Sequence, residues 1–356
     1  MATDFLIIGG GIAGVSAAAR LSHLGRVTLL EAEDNLAHHA SGRSAALYEP
    51  NYGLAPVVAL SHASGDALRA AGVLTPRGIM LLGAEGADDA FAAECRDFGL
   101  TEISPAEARA GVPILGPRVR RAAIADHASD IDTDLLIQGF VREARGNGAE
   151  ILTRARVSGI ARAGGLWQVA SAAGEYRARL LVNAAGPWVD EVARMAAVRP
   201  LGFTPLRRSM ARIPAPDGQD TARWPMLMGV GETWYAKPDA GALIVSPAEE
   251  DPAEPHDAWA DDMVLAEGLA RYEAMVTAPV TRLLASWAGL RTFAPDRVLV
   301  IGPDPDVPSF FWVAGQGGYG FQTSAAASAL VGDLVAGRSP ALDAATVAAL
   351  SPARFR

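Results

Sequence analysis

Gly9, Gly11 and Gly14, with Glu31 standing 22 residues after the first of them, have types and spacing that imply chemistry. They belong to the run Gly9-Gly10-Gly11-Ile12-Ala13-Gly14. In a turn of this kind the first glycine allows a tight bend and the second lets backbone approach a pyrophosphate. The third lets a helix pack closely on a sheet. The helix that follows offers free N–H groups and a positive dipole end to phosphate. A carboxylate at the position of Glu31 can accept hydrogen bonds from both hydroxyls of a ribose. The chemistry implied is the binding of a dinucleotide.

The elements that must hold these residues can be read around them. Asp4-Phe5-Leu6-Ile7-Ile8 is a short strand, and an alanine-rich helical pattern runs from the glycines to Leu24. Gly25-Arg26 breaks the helix, and Val27 to Leu30 forms a second strand ending on Glu31. A bare glycine motif is weak evidence; the whole βαβ unit is far more specific. Helices are expected over 54–71, 88–98, 130–145 and about 265–277, and Ser104 with Glu107 forms a capping box. Leu166 to Val169 with Tyr176 to Ala178 suggests a small ribbon, and Leu180 to Gly186 a separate buried strand ending on small residues. From Pro200 to Pro247 alternation dominates, and Pro238-Asp239-Ala240-Gly241 turns a hairpin, so a second, antiparallel sheet is expected. Apolar strands return at 298–302 and 310–314, followed by Gly315-Gln316-Gly317-Gly318-Tyr319-Gly320 and a helix from Thr323 to Leu334. The chain thus visits the nucleotide domain at its start, middle and end. The expected division is 1–75, 128–197 and 286–356 for that domain, and 76–127 and 198–285 for a substrate domain.

Composition narrows the partners. The chain has 356 residues, half of them apolar, enough for about two domains with a large core. A net charge of -9 supplies no basic excess for neutralising phosphates, so no nucleic-acid partner is expected. Cys95 is the single cysteine, which excludes an intrachain disulfide and suits a reducing compartment. No apolar run is long enough to span a bilayer, and Asp4 ahead of the first strand is unlike a basic leader. A cytoplasmic location is expected, and no metal site.

Several separated motifs, in order, carry a family resemblance. The amino-terminal fingerprint together with Asn183-Ala184-Ala185-Gly186-Pro187-Trp188, Trp287-Ala288-Gly289-Leu290-Arg291 and Gly317-Gly318-Tyr319-Gly320 resembles the D-amino-acid oxidase/dehydrogenase family of FAD flavoproteins. Ser41-Gly42-Arg43-Ser44-Ala45-Ala46 and Tyr235-Ala236-Lys237-Pro238 resemble its bacterial D-arginine dehydrogenase-like branch. The resemblance implies an α/β fold: a glutathione-reductase-like FAD-binding domain, a ββα-type sandwich with a parallel sheet, plus a mixed or antiparallel-sheet substrate domain. It implies noncovalent FAD, with no link through His38 or His39. Glu31 and Ala32 would hold the adenosine ribose, and Gly9, Gly11, Ile12, Ala13 and Gly14 the pyrophosphate. Ser41, Gly42, Arg43, Ser44 and Val157 would lie along the cofactor, with Gly186 near the isoalloxazine. Gly317, Gly318, Tyr319 and Gly320 would start a helix aimed at the edge of the flavin where negative charge develops, which helix electrostatics favours.

The substrate implied is an amino acid whose carboxylate is fixed while one Cα–H faces the flavin. A guanidinium can do this bidentately, which an ammonium cannot. Arg291 lies in an otherwise apolar stretch, and Arg208 shares the apolar strand face of Leu206 and Met210 while Arg207 faces away. Tyr235 could donate a hydroxyl to the carboxylate, and Tyr52 matches the lid tyrosine of the related branch better than Tyr48 does. These four form the expected catalytic set, with no dedicated base: the amine lone pair drives hydride from Cα to flavin N5. His62, His127 and His256 read as surface residues. Relatives that accept basic D-amino acids carry glutamate where this chain has Ile79, so a neutral or apolar D-amino acid is expected, oxidised to a 2-oxo acid and ammonia. Glu49 is an acid of unknown direction. The electron acceptor would be oxygen or quinone-like. Competing readings are a secondary-amine, glycine or sarcosine-type oxidase, a 2-hydroxy-acid dehydrogenase, an NAD-dependent dehydrogenase, and a noncatalytic flavin relay subunit.

Overall fold

The first thirty residues fold as their pattern demands. In the computed structural model, which describes residues 3–356, strand β1 (Thr3–Ile8) leads through the glycines into helix α1 (Ile12–Leu21) and strand β2 (Val27–Leu30). Met1 and Ala2, the start of the first expected segment, lie outside the described residues. β1 and β2 pair in parallel with Ile8 opposite Leu30, so Glu31 emerges beside the turn. Gly9 has φ +109, and a Cβ there would lie 2.3 Å from the Ala184 carbonyl oxygen. A Cβ at Gly14 would lie 1.9 Å from the Gly9 carbonyl oxygen, so α1 rests directly on the turn. Only residues without a side chain permit this approach.

β1 and β2 lie inside an eight-stranded sheet. Glu150–Leu152 borders β2, and Gly174–Asn183 borders β1. The Gly174–Asn183 strand corrects the sequence expectation of two elements. Its first half pairs antiparallel with Leu166–Ser171 and its second half pairs in parallel with Phe310–Ala314. Burial is patchy in the first half and continuous over Val182 and Asn183, which is why the sequence reads as a ribbon and then a buried strand. α1, Thr133–Gly146 and Gly320–Ala336 cover one face around Val15, Leu29 and Phe311. Trp167, Phe310, Trp312 and the helix Val189–Met195 fill the other.

The second sheet has nine strands and is mainly antiparallel. Tyr235–Asp239 and Ala242–Ser246 form its hairpin, turned by Ala240 (φ 45) and Gly241 (φ 76). Met226–Gly229 pairs in parallel with Ile79–Gly83, joining two stretches far apart in the chain. Thr204–Pro214 pairs along its length with Ala285–Phe293. This corrects the boundary expected at 286: Ala285–Phe293 belongs to the second sheet, and the chain crosses back only after Phe293. A third, three-stranded sheet orders Leu47–Tyr48, Ser129–Ile131 and Leu74–Pro76. The helix expected from Asp130 therefore starts later, with Asp132 capping the Leu135 N–H at 2.8 Å. Asp130 is committed elsewhere, accepting from Arg77 and Lys237 at 2.8 Å each. Among the described residues no helix is long and apolar enough to cross a membrane.

Gly14→Ala should destabilise the chain by about 3 kcal/mol or more, since backbone rather than a flexible side chain meets the added atom. Gly146→Ala, where an added Cβ meets nothing within 4 Å, should change stability by less than about 1 kcal/mol in either direction. Urea melts of both variants check the pair; equal effects would contradict the steric argument.

Candidate functional site

A cavity of about 340 Å³ runs from the first turn to the face of the second sheet. At the first end Glu31, 8% exposed, accepts the Gly10 N–H at 2.6 Å and the Glu33 N–H at 2.8 Å. A carboxylate has about four acceptor positions, so capacity for ribose hydroxyls remains. A Cβ at Gly11 would meet nothing within 4 Å except the Ser41 hydroxyl at 3.2 Å. That hydroxyl in turn accepts the Ile12 N–H at 3.0 Å, across the N-terminus of α1. The space beside Gly11 is therefore kept free of bulk exactly where helix N–H groups concentrate, and these residues fit a pyrophosphate. Ala13, Ala32 and Val157 line the same end, and Gly186 (φ +54) has open space where a side chain would stand.

A second helix start converges on the cavity. Gly317, Gly318 and Gly320 line it, and no side chain caps the helix Gly320–Ala336. A Cβ at Gly320 would come within 3.0 Å of Ile12 Cγ2, so the two helix N-termini meet. Their dipole ends jointly favour negative charge between them.

Three expected cofactor residues do not line the cavity. Gly14 serves packing alone, and Gly42 permits the short 3₁₀ turn Ala40–Arg43, its Cβ position lying 2.3 Å from the Ala37 carbonyl oxygen. Tyr319 packs its ring on Tyr52 and Phe293, with centroids 5.1 and 6.2 Å away. Arg43 and Ser44 do line the cavity, yet the Arg43 guanidinium is engaged in the protein. It donates to the Ala258 and Ala288 carbonyls at 2.8 and 3.0 Å and pairs with Asp257. Glu33, His38 and His39 gather at the rim with candidate ligand atoms within 4.8 Å of one another. Arg156 and Asp257 already partner them, and burial lowers the His39 pKa.

At the other end the second sheet presents Arg208, Arg291 and Tyr235, and the loop after Leu47–Tyr48 adds Tyr52 to the same lining. The register places Leu206 opposite Arg291 and Arg208 opposite Gly289. Residues opposite one another and two apart along a strand share a face, so both guanidiniums point the same way. Arg208 is 3% exposed, while Arg207 on the reverse face pairs with Asp251 at 2.9 Å. A Cβ at Gly318 would lie 3.1 Å from Arg291 Cζ, so this arginine rests against the glycine turn. Tyr235 is buried, its hydroxyl 3.5 Å from Met210 Sδ and its ring 5.9 Å from Arg208 Cζ. Tyr48 points into the core and donates to the Ser61 carbonyl.

Glu232 is the residue that the sequence reading missed. Its carboxylate accepts from Arg208 Nη1 at 3.0 Å and from the Tyr52 hydroxyl at 2.9 Å, and lies 3.7 Å from Arg291 Nη1. Burial opposes its charge, but Arg291 and Arg208 hold its carboxyl below the ordinary range. Burial raises the Tyr52 pKa, and Glu232 adds to the effect. Despite these contacts, Arg208 Nε and Arg291 Nη1 are buried and have no hydrogen-bond acceptor among the described residues. An acid lodged between Gly231 and Thr233 carries no periodicity or motif by which to find it. His127 is exposed, as expected, and its ring also meets the buried Glu49 carboxylate at 2.8 Å; burial raises the Glu49 pKa. Ile79, Met226 and Met228 form apolar wall.

Comparison with known proteins agrees with this geometry. The hydrogen cyanide synthase subunit HcnC of Pseudomonas aeruginosa is 28% identical over 228 residues, covering 62% of this chain and 52% of that one. The chain thus spans about half the length of that relative. The glycine oxidase of Pseudomonas aeruginosa is 27% identical, with 98% of this chain and 99% of that one aligned. The fold is similar to that of L-alpha-glycerophosphate oxidase from Mycoplasma pneumoniae with FAD bound, at TM-score 0.86 and 18% identity, covering 94% and 95% of the two chains. These relatives place the likeness at a coarser level than the D-arginine dehydrogenase-like branch. The family described as FAD dependent oxidoreductase (DAO) matches residues 4–334, and the chain belongs to that family, with FAD as its cofactor.

Proposed function

We propose that the protein oxidises the Cα–N bond of a D-amino acid with a neutral or apolar side chain, giving an imino acid that water converts to a 2-oxo acid and ammonia. One observation carries the reading: two guanidiniums on one sheet face, Arg291 resting against Gly318 and Arg208 two strand positions from the residue opposite it, each keep a buried nitrogen without an acceptor. A carboxylate supplies the missing acceptors and would be fixed at two points. When bound, FAD supplies the acceptor for the hydride leaving Cα. Glu31 and the glycine turn of Gly9 to Gly14 hold its nucleotide half, and the helix starts at Ile12 and Gly320 stabilise its negative charge.

The chain's own side chains orient the substrate. Arg208 and Arg291 take the carboxylate, Tyr235 stands under Arg208, and Tyr52 closes the cavity beside them. Ile79, Met226 and Met228 leave nothing to satisfy a cationic side chain, which disfavours basic amino acids. No side chain serves as base, because the neutral amine carries the lone pair that drives the bond change. Oxygen or a quinone-like carrier is the proposed final electron acceptor. The D configuration is the reading that the motif resemblance at Tyr235 to Pro238 and Tyr52 suggests, and the relatives support only the coarser amine-oxidising family. A second reading, glycine or a secondary amine, draws support from the full-length match to glycine oxidase.

Anaerobic titration of the FAD-loaded protein with D- and L-amino acids, glycine, secondary amines and 2-hydroxy acids tests both. Bleaching by D-amino acids but not their L partners supports the first reading; bleaching by glycine or secondary amines alone supports the second, and no bleaching removes both. Arg291→Lys should lower kcat/KM roughly 100-fold on the best substrate through loss of bidentate contact, measured by steady-state kinetics. Glu31→Ala should weaken FAD binding about 10- to 100-fold, as expected for a lost charge-assisted hydrogen bond, measured by fluorescence titration of the apoprotein.

A further inference from the structure

We propose that Glu232 is a specificity-determining residue that restricts this site to ligands carrying a single carboxylate. The inference rests on the reading of Arg208 and Arg291 as a carboxylate clamp. Its basis is a count of charges at the substrate end. Arg208 and Arg291 contribute two positive charges to the cavity wall, and Glu232, in contact with both, contributes one negative charge. Behind them Arg297 and Glu250 form a pair at 2.8 Å, with Glu250 also 3.3 Å from Arg208 Nη2. Glu94 lies behind the 230–232 loop and outside the cavity lining, accepting the Gly231 N–H at 2.7 Å, and burial raises its pKa. The clamp therefore presents one net positive charge and two buried nitrogens without acceptors, Arg208 Nε and Arg291 Nη1, the complement of one carboxylate. A second carboxylate would meet the Glu232 charge at close range in a poorly solvated space.

The backbone indicates that this acid is built in place. Gly231 has φ +75 and Glu232 φ +50, so a residue with a side chain stands in left-handed conformation. Such a conformation persists only where the surroundings fix it. Here the Glu94 contact holds Gly231, and the Trp234 indole packs so closely on Gly229 that a Cβ there would lie 2.4 Å from its Nε1. Glu232 also holds Tyr52, so one carboxylate sets the charge and positions the tyrosine over the clamp.

The test uses FAD-loaded protein and two probes that lack an amine and cannot be oxidised: acetate, with one carboxylate, and malonate, with two. Dissociation constants come from perturbation of the flavin spectrum and from calorimetry. The wild-type protein should bind acetate and discriminate against malonate. Glu232→Gln, which removes the charge and keeps the shape, should shift the malonate-to-acetate affinity ratio toward malonate at least about tenfold. Glu232→Gly, which suits the left-handed backbone, should do the same and guards against misfolding of the first variant. Ratios within about twofold of wild type in both variants, with acetate still bound, would overturn the proposal and leave the clamp standing. Failure of the wild-type protein to bind acetate would overturn the clamp and this inference together.

Discussion

Placing two guanidiniums side by side in a half-closed cavity is the constraint on which the site depends. Each is costly to remove from water, and their mutual repulsion adds to the cost. The structure meets it with carboxylates drawn from other parts of the chain: Glu232 from the loop ahead of Tyr235, and Glu250 from the stretch after the hairpin. Arg297 then balances Glu250. Burial works against the Arg291 charge, but Tyr235, Tyr52 and Glu232 hold its pKa above the ordinary value. The compensation is incomplete, in that Arg208 Nε and Arg291 Nη1 are buried without an acceptor. That unmet hydrogen bonding is the feature that separates the proposed carboxylate clamp from a fully paired structural ion cluster.

The two sheets must be held in register for the clamp to face the glycine turns. Four contacts do this. Arg43 reaches from the segment after β2 to the Ala288 carbonyl, and Trp287 Nε1 returns a bond to the Arg43 carbonyl at 3.1 Å. Gly289 lets Ala40 approach, its Cβ position lying 3.4 Å from the Ala40 Cα. Phe293 fills the space under Gly317, where an added Cβ would lie 2.3 Å from its ring. The strand Ala285–Phe293 is thus both an edge of the substrate face and the surface on which the cofactor-side loops are seated. Arg43 serves this joint through its guanidinium while also lining the cavity.

What could be read from the chain alone follows the range of the interactions involved. The turn at Gly9, the resting of α1 on it and the end of β2 at Glu31 are local, and their residue types declare them. Arg208 was legible because strand alternation assigns faces: its neighbours Leu206 and Met210 are apolar and those of Arg207 are charged in space. Asp130 was misread because its partners, Arg77 and Lys237, are distant in sequence. The boundary at 286 was misplaced for the same reason, since the strand declares its sheet only through pairing with Thr204–Pro214. Glu232 was invisible because its role depends on two arginines from two other strands and a tyrosine from a third sheet's loop.

Glu49 shows how far charge in a cavity depends on partners rather than identity. It lines the same cavity as the arginines and sits nearly opposite in chemistry to the apolar Ile79. Left alone it would be a counter-charge for a cationic side chain. His127 meets it with both oxygens within 2.9 Å, and the Asn51 N–H donates to one of them at 3.0 Å. Its acceptors are therefore largely committed within the protein, and its raised pKa reflects a group that burial already penalises. A guanidinium or ammonium arriving there would compete with His127 and the Asn51 N–H for Glu49, while Ile79 and Met228 offered no acceptor. The proposed apolar preference thus rests as much on the pairing of Glu49 with His127 as on the wall of Ile79 and Met228.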